Sequence, residues 1–257
     1  MIIKNCYCFI DECGDPEFYG KGKRLLVGNP GFQPLLIMGM IETNNRKALN
    51  KAVREFSESI LQDVLFKSIP SVKEPSWFLH AKNDHPEVRA EFFKFLRQYE
   101  GIKFHAVIAR KDLSIFNRKH NNNASEFYFD VIRKLLENHW FVDTRYHIYL
   151  AHKSKSTTEK LINSIERAID SSNKKKGIIE QIDYQCTIEK SNFLPELSVV
   201  DYFLWALQRY IYKGESRFWE TIEPSVGSVI DLYDENKLYN ERNVFRLEKA
   251  PIFESIL

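Results

Sequence analysis

The order of apolar segments constrains the fold of this 257-residue chain more than any other feature of its sequence. Three apolar runs of strand length come first, and the first two are expected to pair as antiparallel neighbours. Helical patterns then alternate with two more strands. This order predicts an α/β fold in which a mixed five-stranded sheet carries helices on both faces. The strands are expected at residues 2–10, 35–41, 103–109, 146–150 and 179–188.

The segment between the second and third strands is expected to be a helical insertion. Apolar residues recur at helical spacing from Leu49 to Ile60, and prolines then interrupt the pattern. Asp84 precedes Pro86 as an N-cap would, so a second helix is expected to begin there. The chain is therefore predicted to be a single domain, residues 1–257, with an inserted helical segment at about 44–100.

Composition leaves the binding partner open. Apolar residues make up 44% of the chain and charged residues 28%, which is typical of a globular protein. The formal net charge is only +2, so no overall field points to nucleic acid. Lys153, Lys155 and the lysine run at 174–176 are local basic positions that could still contact nucleic acid.

No membrane association is expected, because no apolar run approaches the ~18 residues of a membrane-spanning helix. The apolar stretch at the start is also too short for a signal peptide. The four cysteines are Cys6, Cys8, Cys13 and Cys186. Because Cys6 and Cys8 share one face of a strand without a closed ligand set for zinc, a reduced, cytoplasmic chain is expected.

Two adjacent acids, Asp11 and Glu12, follow the apolar part of the first strand. A strand that ends in carboxylates can hold a metal ion rigidly, whereas the Gly14-Asp15-Pro16 stretch that follows also suits an ordinary turn. Because side chains alternate along a strand, the two acids are expected on opposite faces. Only one of them can easily share a site with a distant residue, and we expect it to be Asp11.

Asp201 is the second acid of interest. It lies four residues after Leu197 and three before Leu204, at the edge of the apolar face of a predicted helix. A half-buried carboxylate costs several kcal/mol unless a cation or a donor compensates it. A metal ion, an arginine or a hydrogen-bond donor is therefore expected beside Asp201, and an ordinary structural pair is the alternative.

His80 is a third candidate, since it follows the apolar run Trp77-Phe78-Leu79 and precedes Lys82. A histidine can serve as a metal ligand or as a general base near neutral pH. A single histidine is more often an ordinary surface or core residue, so the sequence leaves both interpretations open. The nearby Asp84 is interpreted as a helix cap.

Three short segments carry a resemblance to a known family. They are Phe9-Ile10-Asp11-Glu12-Cys13-Gly14-Asp15, Phe78-Leu79-His80-Ala81, and the stretch from Leu194 to Arg209 that contains Val200-Asp201-Tyr202. In these segments the chain resembles the bacterial domain-of-unknown-function family 3800, which implies a ribonuclease H-like fold. Family members usually carry serine where this chain has Cys13, and glutamine where it has Ser198.

The resemblance implies a metal-dependent nuclease that cleaves RNA or DNA, in a bacterial defence or mobile-element setting. In ribonuclease H-like enzymes, carboxylates on the first strand, after the fourth strand and on the last helix hold two Mg²⁺ or Mn²⁺ ions. Asp11 and Asp201 would be the metal ligands here, and Glu12 and His80 would be further catalytic residues. Paired ions of this kind activate water and stabilise the leaving oxygen in phosphodiester cleavage.

One acid that the resemblance implies is missing from this chain. The fourth strand ends in Tyr149-Leu150-Ala151-His152, so Ala151 stands where a carboxylate is expected. Four other residues could compensate for it. They are His152, Glu12, Glu126 and Asp130. The alternative to an active nuclease is a catalytically inactive ribonuclease H-like module that binds nucleic acid or a protein partner.

Overall fold

A mixed sheet lies at the centre of the computed structural model, which describes residues 3–137, 139–152, 157–177, 181–232 and 244–245. Within these ranges seven strands pair into one sheet. The strands are β1 (Lys4–Cys13), β2 (Leu35–Thr43), β3 (Ile102–Arg110), β4 (Thr144–Ala151), β5 (Asp183–Glu189), β6 (Val226–Asp231) and β7 (Val244–Phe245). Their order across the sheet is β5-β4-β1-β2-β3-β6-β7.

The directions of the strands make the sheet mixed. β1, β2 and β3 form an antiparallel series, β4 runs parallel to β1, and β5 runs parallel to β4. The predicted α/β fold with a mixed sheet is therefore confirmed, and the predicted antiparallel pairing of the first two strands is also correct.

The predicted number of five strands is too low, because β6 pairs parallel to β3 and β7 extends that edge. β6 gives a weak sequence signal. It contains Gly227 and Ser228, and its buried side chains are only Val226, Val229 and Asp231. A short strand without an apolar run has no pattern strong enough to be recognised before its partner is known.

Helices cover both faces of the sheet, as predicted. They are α1 (Arg46–Gln62), α2 (Pro86–Gln98), α3 (Leu113–His120), α4 (Ala124–Leu136), α5 (Thr158–Lys176), α6 (Pro195–Lys213) and α7 (Ser216–Ile222). We name the face that packs against α1, α2, α6 and α7 the α6 face, and the face that packs against α3, α4 and α5 the α4 face. Along β1, Phe9 enters the core of the α6 face, whereas Cys8 and Ile10 enter the core of the α4 face. The predicted helical insertion is also present, because α1 and α2 both lie between β2 and β3.

The last long helix, α6, lies close to the sheet because β2 carries a glycine beneath it. Pro195 opens α6, and Gly214 in the left-handed conformation ends it. A Cβ atom added to Gly39 would lie 2.8 Å from Leu204 Cδ2 and 2.9 Å from Phe104 Cε2. Gly39 is the β2 partner of Asp11, so the helix approaches the sheet at the strand pair that carries the first candidate acid.

We expect Gly39→Ala to destabilise the protein by about 1–3 kcal/mol, because the new methyl group would overlap Leu204 and Phe104. Leu204→Ala alone should cost about 2–5 kcal/mol through the cavity that it leaves. The double variant should cost clearly less than the sum of the two, since the smaller Leu204 side chain gives room to the new methyl group. Urea denaturation of all four proteins measures the coupling, and strictly additive costs would contradict this packing.

Candidate functional site

Asp11 and Glu12 lie on opposite faces of β1, near its carboxyl end. Phe9 and Cys13 pack into the α6 face, so strand alternation places Asp11, which lies between them, on that face. Glu12 points to the α4 face, where its Oε2 accepts a hydrogen bond of 3.0 Å from the Tyr128 hydroxyl. Asp11 is therefore the acid of this pair that faces α6.

Asp201 lies on α6 and meets the segment that carries His80. Its Oδ2 accepts a hydrogen bond of 2.6 Å from the backbone N–H of Ala81 and lies 3.7 Å from Nδ1 of His80. Burial raises the pKa of the Asp201 carboxyl and the nearby Asp84 raises it further, while His80 and the Ala81 N–H oppose the rise. The carboxylate is thus only partly compensated by its protein neighbours.

His80 is held by hydrogen bonds to its backbone rather than to its ring. The backbone N–H of His80 donates to Asp84 Oδ2 at 2.8 Å. Arg89, on α2, then fixes two carbonyl groups of the same segment, those of Ala81 and Asp84, through hydrogen bonds of 2.6 Å each. The Arg89 guanidinium itself lies over the Trp205 ring of α6, 4.5 Å from its centroid.

The interpretation of Asp84 as a helix cap is wrong. The N-cap of α2 is His85, which makes no side-chain capping bond. The buried Asp84 carboxylate instead accepts from the Trp77 indole at 3.0 Å and from the Tyr202 hydroxyl at 2.6 Å, besides the His80 N–H. These neutral donors surround the carboxylate in the interior, where bonds to a charged acceptor are strong.

The ring of His80 presents an unsatisfied nitrogen to Asp201. Nδ1 of His80 is buried and has no hydrogen-bond partner among the described residues, and the closest acid is Asp201 at 3.7 Å. That separation is too long for a hydrogen bond. Buried polar atoms without partners are uncommon in folded proteins, and they often mark a place where a proton, a water molecule or an ion takes part in function.

Cys13 lies where the carboxylates of β1 and α6 converge. Burial raises the pKa of the Cys13 thiol to about 12, and the negative charges of Asp201, Asp11 and Glu12 contribute to the rise. A thiol with so high a pKa stays protonated near neutral pH and is a poor nucleophile. Charges from both β1 and α6 therefore act on this thiol.

Ala151 lies beside Asp11, where the resemblance implies an acid. β4 pairs with β1 through Ile10 and Leu150, so the next residues, Asp11 and Ala151, are lateral neighbours. Ala151 is buried in the core of the α6 face, the face of Asp11. The carboxylate that the resemblance implies is therefore replaced by a methyl group at the position that faces the candidate site.

The residues considered as replacements for that carboxylate lie elsewhere. Glu126 is exposed on α4, which covers the opposite face. Asp130, also on α4, is paired with His120 at 3.2 Å, Lys119 at 2.7 Å and Arg133 at 2.8 Å, which hold its pKa well below the usual range despite burial. Glu12 also points to the α4 face. His152 is exposed after β4. None of these residues is placed beside Asp11 on the α6 face.

Glu189 is an acid that the sequence analysis missed. It is the β5 partner of Ala151, so Asp11, Ala151 and Glu189 form a lateral row on the α6 face. Its Oε1 accepts a hydrogen bond of 3.0 Å from the backbone N–H of Lys190. The sequence shows only an acid at the end of a predicted strand. The register of the strands was needed to place Glu189 in one row with Ala151 and Asp11.

The lysines proposed as basic positions do not adjoin Asp11. Lys153 and Lys155 lie outside the described residues. The run at 174–176 ends α5 on the α4 face, where Lys176 donates to the Trp140 carbonyl at 3.0 Å. Lys82, exposed two residues after His80, is a cation next to the candidate site.

Ligand atoms of Asp11, Asp201 and His80 do not form a group within 4.8 Å of one another in the described part of the chain. Metal binding by these residues would therefore require their side chains to move together. No family model and no curated protein matched the chain, so the resemblance to family 3800 stays a prediction. Among the described helices, none is both long and apolar enough to cross a membrane.

We expect Asp201→Asn to stabilise the protein at about pH 7 and to have little effect at about pH 4. Because the pKa of Asp201 is raised on folding, the folded chain binds the proton more tightly than the unfolded chain. The contribution of this carboxyl is then most favourable below its ordinary pKa of 3.8 and is lost as the pH rises through the folded-state pKa.

The measurement is urea denaturation of Asp201→Asn and the parent protein across this pH range. Glu58→Gln, at an exposed acid of α1, is the matched control and should not change the difference with pH. A stability difference for Asp201→Asn that is constant or falls with rising pH would contradict the assignment.

Proposed function

We propose that the protein is a metal-dependent phosphodiesterase that cleaves nucleic acid, with Asp11 and Asp201 as its Mg²⁺ or Mn²⁺ ligands. The support comes from the placement of the two carboxylates on the same face of the sheet, where both act on the Cys13 thiol. Mg²⁺ and Mn²⁺ prefer such oxygen ligands, and Mg²⁺ is often bound by only one or two carboxylates together with substrate phosphates.

The observation that carries the proposal is the unpartnered Nδ1 of His80 beside the Asp201 carboxylate. This nitrogen and the Asp201 carboxylate face each other at 3.7 Å, too far apart for a hydrogen bond, and a cation beside them would compensate the partly desolvated carboxylate. A divalent ion at Asp201 would supply that charge and the activation of water.

The residues of the chain then have distinct roles. Asp11 and Asp201 would bind the divalent metal ion at the carboxyl end of β1, on the α6 face. His80, a third of whose side chain is exposed, is placed to accept a proton from water through its ring. Glu12 acts from the opposite face by fixing the end of β1 through Tyr128. Lys82, exposed close to His80, contacts substrate phosphate.

We expect the full-length protein to cleave labelled RNA, DNA or hybrid duplexes in the presence of Mg²⁺ or Mn²⁺. Asp11→Asn and Asp201→Asn should each lower the rate by at least about 100-fold, the scale of removing one positioned polar group from an active site. Glu58→Gln controls for changes unrelated to the site. Cleavage that both asparagine variants retain would exclude these carboxylates as the metal ligands.

The second candidate is a catalytically inactive module that binds nucleic acid or a protein partner. Ala151 favours it, because a buried methyl group stands beside Asp11 where a third carboxylate would complete the metal site. In this case the wild-type protein would shift a labelled oligonucleotide in an anisotropy titration and would leave it uncleaved with either metal ion.

We expect Ala151→Asp to raise the affinity for Mn²⁺ by about 10-fold, because added ligand charge tightens binding of hard cations. Ala151→Asn is the matched control, since it adds nearly the same volume without a charge. Calorimetric titration with manganese chloride compares the two variants after thermal unfolding has shown that both are folded. Equal affinities for the two would contradict the placement of Ala151 at the metal site.

A further inference from the structure

A second group of potential metal ligands lies on the α4 face, away from the acids of the candidate site. Glu42 on β2, His105 on β3 and His139 before β4 place their ligand atoms within 4.8 Å of one another. Glu42 is the β2 partner of Cys8, three residues before Asp11. Three residues along a strand span about 10 Å, so this group is separate from Asp11 both along β1 and across the sheet.

The distances within the group fit one small metal ion. His105 Nε2 lies 3.6 Å from Glu42 Oε2, and His139 Nδ1 lies 2.7 Å from Glu42 Oε1. Two ligands held at ~2.1 Å in a tetrahedral zinc site lie ~3.4 Å apart, so the His105–Glu42 separation already fits and His139 would move outward from Glu42. The His105 and His139 rings meet edge to face with centroids 4.4 Å apart, and one nitrogen of each ring lies within 4.8 Å of the other and of a Glu42 oxygen.

His105 is aimed at Glu42 by features of the neighbouring strand β6. The β3–β6 pairing shifts register between Phe104 and His105, and such a bulge re-aims a side chain. His105 Nδ1 lies 2.8 Å from the Ser228 hydroxyl, so the other nitrogen, Nε2, faces Glu42. A Cβ atom on Gly227 would lie 2.8 Å from His105 Nε2 and would also overlap Cε1, so only glycine leaves room for this ring position.

The hydrogen bond to Ser228 is the kind of outer contact that orients histidine ligands in metal sites. A proton on Nδ1 of His105, donated to the Ser228 hydroxyl, would leave the lone pair of Nε2 directed at Glu42. Because 3.6 Å is too long for a hydrogen bond, a metal ion shared by Nε2 and the carboxylate accounts for this arrangement better than a direct bond does.

Solvent reaches the group through an open cleft of about 770 Å³ whose wall includes Glu42 and His139. The cleft gives an ion a path of entry and leaves room for water or a small ligand at a fourth position. Cys6 and Cys8, with sulfur atoms 3.8 Å apart, form a second group with Glu42, and Cys6 also lines the cleft.

We propose that Glu42, His105 and His139 bind a Zn²⁺ ion whose fourth position opens to this cleft. Two imidazoles and one carboxylate form a ligand set that zinc uses in sites with an open position, whereas Mg²⁺ prefers oxygen ligands throughout. The cysteine thiols stay outside this ligand set. This site is independent of the proposed nuclease activity, because none of its ligands is Asp11, Asp201 or His80.

The test is calorimetric titration of chelator-treated full-length protein with zinc chloride. One tight site per chain is expected, and His105→Gln and His139→Gln should each weaken it by at least about 100-fold, beyond the usual effect of an outer contact. His85→Gln, at an exposed histidine, is the matched control and should leave the affinity unchanged. Absence of tight binding, or wild-type affinity in both glutamine variants, would overturn the proposal.

Two further measurements keep the test decisive if a ligand variant fails to fold. Ser228→Ala leaves every ligand in place and should still weaken zinc binding by about 10- to 100-fold through loss of the orienting contact. Substitution with Co²⁺ should give the visible absorption of a four-coordinate ion without thiolate charge-transfer bands. Such bands, or an unchanged affinity in Ser228→Ala, would contradict the proposed ligand set.

Discussion

The segment from Trp77 to Asp84 is fixed between the buried Asp84 carboxylate and the half-buried Asp201 carboxylate, and the candidate site depends on that arrangement. Asp84 accepts the His80 N–H, and Asp201 accepts the Ala81 N–H from the opposite side. Bonds from backbone donors to carboxylates are stronger than neutral ones, and losing one would leave a buried donor unsatisfied at a cost of about 1–3 kcal/mol. The insertion is thereby tied to α6 at the point where His80 meets Asp201.

Close approach of α6 to the sheet makes this arrangement possible. Gly39 allows Leu204 to lie directly on β2, which places the α6 face of β1 under the same helix. The cost is desolvation of two carboxylates, because burial is the main cause of the raised pKa values of Asp84 and Asp201. A site that keeps like charges close and partly desolvated is less stable than its uncharged equivalent, and such sites are often functional.

Local patterns were sufficient to predict most of the fold. Alternation along β1 and the apolar stripe of α6 gave the strand, the helix and the edge position of Asp201. The donor expected beside Asp201 is the N–H of Ala81, but its identity lay 120 residues away and no local pattern specified it. The prediction for Asp84 was wrong for the same reason. The sequence shows only that Asp84 lies close to the start of α2, whereas its carboxylate is bound by Tyr202, a distant residue on α6.

The proposed zinc ligands, Glu42, His105 and His139, also could not be grouped from the sequence alone. Cys6 and Cys8 were correctly placed on one face of a strand, and neither His105 nor His139 belongs to a local motif. Their common neighbour is Glu42, whose position opposite Cys8 follows only from the register of β1 with β2. A ligand set assembled from separate strands and a connecting segment has no fixed spacing in sequence, in contrast to the short motifs by which many zinc sites are recognised.

The two faces of the sheet separate the two groups of potential ligands by chemistry as well as by position. Asp11 on the α6 face lies among carboxylates, which favour hard cations, whereas the α4 face brings imidazole and thiol groups to Glu42. A transition metal ion that prefers nitrogen or sulfur ligands would therefore bind on the α4 face rather than at Asp11 and Asp201. Mg²⁺ has the opposite preference, for oxygen ligands, so the two faces of the sheet would hold different ions without either ion displacing the other.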